Sequence, residues 1–252
     1  MTAGEQLFAR FAYAPNELGY CGPAETAALF ELGATGRTDA DVRAIARAFS
    51  GAWPYACVLA ELTGITDPLD ERVMRAYWTG DPLLDAVDAE TFGTTLLELI
   101  SPKAAGYWGH LSPELLPEAA PTHGFHVFGV YPWSRLLLAG SPDVPLSVLD
   151  SCRIRWGQVV GVDDSHVVVR SRRLTWDGCQ LGLAPAAEER VRLVVDGRGF
   201  VDSPADGEWL ALHWDWVCDR LTLAQLRELQ HRTGGQLRAT NARLARECRA
   251  RT

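Results

Sequence analysis

Apolar residues in the first half of the chain recur at three- and four-residue spacing. Phe8 and Phe11 are three residues apart, and Ile45 and Phe49 are four residues apart. This spacing is typical of helices that bury one face. It predicts five to seven short helices between residue 2 and about residue 121.

Beyond His123 the apolar pattern changes to a period of two, which is typical of strands. A strand is predicted over 126–131, a hairpin over 152–172, and further strands over 190–195 and 209–217. Several short strands so close together favour a small barrel over an open sheet.

These elements define an α+β fold in four segments. We expect an all-helical N-terminal domain over 1–121, a connector and strand over 122–147, a small OB-like β-barrel over 148–220 and a C-terminal helix over 221–252.

Composition narrows the possible partners. The chain has 24 Lys and Arg against 32 Asp and Glu, a net charge of -8, so nucleic acid is not an expected partner. It has no apolar run long enough for a membrane span, and Glu5 and Arg10 interrupt the start where a signal peptide would be apolar. We therefore expect a cytoplasmic protein, without a membrane partner, whose six scattered cysteines are reduced and mostly buried.

The predicted barrel carries the most informative motifs. Cys152 precedes the segment Gly157-Gln-Val-Val-Gly-Val-Asp163, and the closing strand reads Gly207-Glu-Trp-Leu-Ala-Leu-His213. In this order the motifs resemble the HypC/HupF family of nickel-iron hydrogenase maturation chaperones. The resemblance covers about residues 148–230, although the family's cysteine lies near the chain start and Cys152 is internal.

The resemblance implies a maturation protein that carries or presents an iron fragment bearing cyanide and carbon monoxide. The implied ligands are Cys152 and His213, because a thiolate and an imidazole form a suitable N/S site for iron. The implied partners are other hydrogenase maturation proteins and the hydrogenase large subunit.

Each of these two residues also has a purely structural interpretation. Cys152 would then be a small buried side chain at a strand start, and His213 a core histidine that is hydrogen-bonded to a neighbour. If the strand continues past His213, Asp215 lies on the same face and orients the imidazole, while Trp214 and Trp216 share the other face.

The helical half has two candidate sites of its own. In the segment Pro15-Asn-Glu-Leu-Gly-Tyr-Cys-Gly-Pro23, Cys21 precedes a helix expected to start at Pro23, whose dipole would lower the pKa of the thiol. Cys21 is thus a candidate nucleophile or metal ligand, or else a thiol packed beneath a turn. His123 and His126 are candidate ligands, one of which could reach Cys21, although in a strand they would lie on opposite faces.

Three functions follow from these features. The first is the hydrogenase maturation protein. The second is an enzyme whose helical domain makes or delivers a diatomic ligand, carbon monoxide, for the iron. The third is a metal-free protein-binding module. The whole chain also resembles an uncharacterised actinobacterial family that begins with Pro-Asn-x-Leu-Gly-Tyr-Cys-Gly-Pro, which implies that the two halves form a fixed pair.

Overall fold

The N-terminal half of the chain is helical, as the spacing of its apolar residues predicts. The computed structural model describes residues 1–100 and 111–250. Short 3-10 helices at Pro82–Ala86 and Pro113–Glu118 accompany the α-helices. The α-helices of this half are α1 (Ala3–Glu17), α2 (Thr26–Thr35), α3 (Val42–Ala48), α4 (Trp53–Thr63), α5 (Glu71–Thr79) and α6 (Ala89–Ile100).

The segment between the helical half and the barrel is also helical. It contains α7 (His123–Phe125), a π-helical turn (His126–Val130), α8 (Trp133–Leu136) and α9 (Asp143–Cys152). The predicted strand over 126–131 is therefore wrong. Every residue of the π-helical turn is buried, and a short apolar run that is buried on all sides has the same sequence pattern in a strand and in a helix.

The barrel follows, and with it the α+β fold class is confirmed. Five strands close in the order β1-β2-β5-β7-β6, and β3 pairs with β4 in a separate hairpin. The barrel closes unevenly, since β5 and β7 meet through a single residue pair. The strands are β1 (Arg155–Val162), β2 (His166–Ser171), β3 (Leu174–Trp176), β4 (Leu181–Leu183), β5 (Ala187–Arg192), β6 (Trp209–His213) and β7 (Trp216–Leu221).

Two strands that carry the sequence motifs are neighbours in this barrel. Gly157 of β1 pairs with Leu210 of β6. A Cβ atom at residue 157 would lie 2.7 Å from Cγ2 of Val169, so only glycine fits there without a shift of the neighbouring strand.

The chain ends in α10 (Leu223–Arg249), one helix that continues through Gly234 and Gly235. Thr222 caps its first turn, and the side-chain oxygen of Gln225 accepts a hydrogen bond from the Thr222 backbone N–H. In the described part of the chain no helix is both long and apolar enough to span a lipid bilayer.

One apolar cluster extends from the helices to the outer side of the barrel, while the barrel interior has a cluster of its own. The stacked rings of Phe11 and Trp78 belong to the same buried cluster as Trp216 and Cys218 of β7. Because α1 packs on β6 and β7, a residue of the first helix lies close to the end of the sixth strand.

The expectation of reduced cysteines is wrong for two of the six. Cys179, in the turn between β3 and β4, forms a disulfide with Cys248 near the end of α10. Cys152 and Cys218 are free and buried, whereas Cys21 is free and partly exposed.

An ion pair inside the protein anchors α10 to the helical half. Nε of Arg243 lies 2.6 Å from Oε1 of Glu118, and both side chains are more than nine-tenths buried. Arg243 also donates to the Phe128 carbonyl and to the Ser134 hydroxyl. We predict that Arg243→Ala lowers the free energy of unfolding by about 3–5 kcal/mol, because it leaves the Glu118 carboxylate buried without its cation.

The control for this prediction is Arg170→Ala, which breaks the exposed ion pair with Glu188. Exposed pairs contribute about 1 kcal/mol or less. Urea denaturation of both variants measures the difference, and equal losses would contradict the prediction.

Candidate metal centre

Three buried side chains with metal-binding atoms converge between the helices and the barrel. They are His123 of α7, Cys152 at the end of α9 and His213 at the end of β6. One donor atom of each residue lies within 4.8 Å of the donor atoms of the other two. The residues are only 6%, 7% and 1% exposed, so these atoms meet inside the protein.

A carbonyl group of α1 fixes the proton on His213. Nδ1 of His213 lies 2.7 Å from the carbonyl oxygen of Phe11. A carbonyl oxygen only accepts, so Nδ1 carries the hydrogen and donates it. In a regular helix the Phe11 carbonyl would accept from the N–H of residue 15, but residue 15 is a proline inside α1 and has no N–H. Pro15 thus leaves this carbonyl available to His213.

The other nitrogen of His213 is left without a proton. Nε2 is buried and has no hydrogen-bond partner, and burial lowers the pKa of His213 to about 4. At neutral pH the ring is therefore uncharged, with a lone pair on Nε2. An imidazole whose second nitrogen donates to a carbonyl is the usual arrangement of a histidine ligand in metal sites.

His123 has two ways to satisfy its ring nitrogens. Nε2 lies 3.0 Å from the Cys152 carbonyl oxygen, and Nδ1 lies 3.0 Å from the Tyr77 hydroxyl. If the proton is on Nε2, it is donated to Cys152 and Nδ1 accepts from Tyr77. If the proton is on Nδ1, it is donated to Tyr77, whose hydroxyl then donates to the Gly51 carbonyl 3.1 Å away. The second arrangement frees Nε2 to bind a metal.

The thiol of Cys152 completes the donor set. Sγ lies 4.0 Å from Nε2 of His123, and burial raises the pKa of this thiol above its ordinary value. Cys152 is therefore protonated until a cation displaces the proton. The backbone N–H of Trp214 donates to the Ser151 carbonyl at 2.7 Å, so the segments that carry Cys152 and His213 are joined directly.

A cavity of about 130 Å³ borders all three side chains. Its wall is mostly aromatic and aliphatic, and it also contains Cys21 and His126. Nε2 of His126 faces Gly51 so closely that a Cβ atom at residue 51 would lie 2.6 Å from it. Burial lowers the pKa of His126 to about 3, so this ring is also uncharged at neutral pH.

The expectations for the helical half require two corrections. Helix α2 begins at Thr26 and not at Pro23, and burial raises the pKa of Cys21 to about 12, so the expected activation of this thiol by a helix dipole is wrong. His123 and His126 lie in successive helical turns, not in a strand, and their ring centroids are 6.0 Å apart. They border the same cavity, but Cys21 and His126 lie outside the cluster of three donors.

Two further expectations concern the barrel. Cys152 ends a helix and does not start a strand. The strand predicted to continue past His213 stops there, because Trp214 adopts a left-handed conformation with φ of 56°. Asp215 pairs with Arg192, so the group that orients His213 is the Phe11 carbonyl and not the Asp215 carboxylate.

Sequence reasoning missed the residues that orient the two imidazoles. Tyr77 and Phe11 lie far from the ligands along the chain, and their spacing gives no sign of contact. Pro15 offered a signal, since a proline inside a helix frees the carbonyl four residues earlier. Pro15 lies within α1.

The chain belongs to a family that has been defined by sequence. Residues 1–247 match the profile of the family described as "Family of unknown function (DUF6390)". No curated protein and no solved structure matches the chain. The match spans both halves, so helices and barrel belong to one family unit.

The buried histidines make the stability of the protein dependent on pH. The rings of His213 and His126 stay neutral in the folded protein down to about pH 4 and about pH 3. In the unfolded chain they take up protons below about pH 6.5. The two neutral rings therefore make their full contribution to the free energy of unfolding above about pH 6.5. This contribution falls between pH 6.5 and pH 4, by up to about 1.4 kcal/mol per pH unit for each ring. We predict that His213→Gln reduces this slope in urea denaturation.

The control is His231→Gln, because His231 is exposed and faces water in both the folded and the unfolded state. It is expected to leave the slope unchanged. The interpretation fails if His213→Gln has the same slope as the unaltered protein.

Pro15→Ala tests the origin of the His213 tautomer. Alanine restores an N–H that competes with His213 for the Phe11 carbonyl. We predict that nitrogen NMR of the histidine rings shows a hydrogen on Nδ1 of His213 in the unaltered protein and a smaller fraction of this form in the variant. Affinity for Zn²⁺ should fall by about 10-fold or more, as for other groups that orient a ligand. An unchanged tautomer would contradict this account.

Proposed function

We propose that this protein binds one transition-metal ion through His123, Cys152 and His213. The observation that carries the proposal is the bare, buried Nε2 of His213. A buried polar atom without a partner is costly, and a cation bound at this nitrogen would remove the cost.

The donor set narrows the choice of metal. One thiolate and two imidazoles suit iron, zinc, cobalt or copper better than magnesium or calcium, which prefer oxygen. Three protein ligands leave a coordination position open, as in sites that bind further ligands or perform chemistry. The donor atoms would need to approach by about 1 Å to reach the spacing of ligands around one metal ion.

The cargo we propose is iron, carried with cyanide and carbon monoxide for nickel-iron hydrogenase. The proposal rests on the resemblance of the barrel motifs to HypC/HupF chaperones, and its partners would be other maturation proteins and the hydrogenase large subunit in the cytoplasm. Support comes from Cys152 and His213, which both belong to the cluster, and from the apolar cavity beside them.

The burial of the three donor side chains favours a second candidate function. Cys152 is 7% exposed, whereas a carrier must bring its cargo to a partner. A metal centre that lies inside the protein beside a cavity also suits an enzyme that makes or delivers a diatomic ligand such as carbon monoxide. The third candidate, a metal-free protein-binding module, predicts that Cys152 has only a packing role.

Cys152→Ala separates metal binding from packing. We predict that the unaltered protein binds one Zn²⁺ per chain and that the variant loses nearly all of this binding, because the thiolate is the only anionic ligand of the set. The control is Cys218→Ala, which also removes a free, fully buried thiol but lies outside the cluster. Equal metal content in the two variants would support the packing role instead.

Infrared spectroscopy distinguishes the hydrogenase role from other metal functions. Protein purified without oxygen from its native host should contain iron and show absorption in the roughly 1900–2100 cm⁻¹ region, which arises from bound carbon monoxide and cyanide. Cys152→Ala should lose both signals. Iron without these bands would exclude the proposed cargo while leaving a metal site.

A further inference from the structure

We infer that the metal in this cavity takes a small monovalent anion at its open coordination position. The inference rests on the proposed metal site and names the class of ligand or substrate that the site accepts. It follows from three properties of the cavity: its charge balance, its surroundings and its size.

The charge balance leaves one positive charge inside the protein. A divalent ion bound by the Cys152 thiolate and two neutral imidazoles has a net charge of +1. Among the described residues none of the side chains that line the cavity is Asp, Glu, Lys or Arg. An uncompensated charge in an apolar interior is unfavourable, so an anionic ligand is favoured over a neutral one.

A cluster of charged side chains beside Cys152 and His213 has more positive than negative charge. Three guanidinium groups share two carboxylates: Arg153 and Arg173 pair with Asp150, and Arg155 and Arg173 pair with Glu189. This cluster has a net charge of +1. Arg153 and Arg155 are almost fully buried, so solvent screens their field only weakly.

This cluster lies against the metal ligands. Arg153 follows Cys152 in the chain and forms its ion pair with Asp150, two residues before the cysteine. Nη2 of Arg155 lies 2.6 Å from the carbonyl oxygen of Trp214, the residue after His213. Glu17 and Asp215, which share Arg192, are more exposed than Arg153 and Arg155 and are screened more strongly by solvent. The buried charge beside the ligands is therefore positive.

The size of the cavity limits the anion. Its volume is about 130 Å³, and an apolar protein cavity of about 150 Å³ holds one benzene molecule. The ligand therefore has no more than about six non-hydrogen atoms. The rings of Tyr20 and Trp214 are in contact at the wall, with centroids 4.1 Å apart and planes tilted by 35°. Tyr20 is 48% exposed, so this pair lies between the cavity and solvent.

Cobalt(II) provides the spectroscopic readout, because its visible bands change with the ligand at an open position. The full-length protein loaded with one Co²⁺ is titrated with azide, a small monoanion, with imidazole, a neutral donor that also fits the cavity, and with benzoate, an anion too large for it. We expect saturable binding of azide that is at least about tenfold tighter than that of imidazole. Benzoate should not change the bands.

A charge placed in the wall tests the cause of this preference. Val148 of α9 lines the cavity and is 7% exposed. Val148→Asp supplies the missing negative charge and should weaken azide binding by about tenfold or more. Val148→Asn has nearly the same shape without the charge and should keep the preference for azide over imidazole. The comparison of azide with imidazole in the unaltered protein stands even where these variants fail to fold.

The outcomes separate this inference from the proposed function. If Co²⁺ does not bind, the metal site itself is refuted. If Co²⁺ binds and azide has no effect, or imidazole binds as tightly as azide, the anion site is refuted and the metal site stands. If azide binds only in Cys21→Ser, Cys21 is the fourth ligand and the inference is overturned.

Discussion

The hydrogen bond from His213 to the carbonyl of Phe11 determines how the two halves of this protein form one site. It joins the first helix to the end of the sixth strand at 2.7 Å. The carbonyl is available because Pro15 cannot donate to it. This bond fixes the proton on Nδ1 and leaves Nε2 bare, on a ring that lies beside Cys152 and His123. Without it, the ring would be free to carry its proton on Nε2 instead.

Burial determines the protonation states of the side chains in the site. The two histidines and the thiol are uncharged in the folded protein because the interior disfavours their charged forms. Metal binding would therefore release the thiol proton and require the His123 proton on Nδ1. There it is donated to the Tyr77 hydroxyl, which in turn donates to the Gly51 carbonyl. Two ligands come from α7 and α9 of the connecting segment and one from β6, while Phe11 and Tyr77 of the helical half orient the imidazoles. The barrel alone therefore does not form the site.

The sequence predicted the classes of elements better than the contacts between them. Regular spacing identified the N-terminal helices and the strands of the barrel, because each pattern reflects one buried face. The segment around His126 was predicted wrongly because it is buried on every side, which removes the periodic signal.

Among the candidate site residues, Cys152 and His213 were recognisable from motifs. His123 was only one of several candidates, because its approach to Cys152 depends on helix packing that spacing does not encode. The ion pair of Asp215 with Arg192 could not be predicted from the sequence either, because it depends on the turn at Trp214.

The most direct test of the central claim is X-ray absorption spectroscopy at the metal edge, on protein purified without oxygen and without added metal. The account predicts one metal per chain with one sulfur ligand at about 2.3 Å and two imidazole nitrogens at about 2.0–2.1 Å if the metal is zinc, with similar distances for iron. A protein free of transition metal, or a metal bound without sulfur or without imidazole, would contradict the claim that His123, Cys152 and His213 form one metal centre.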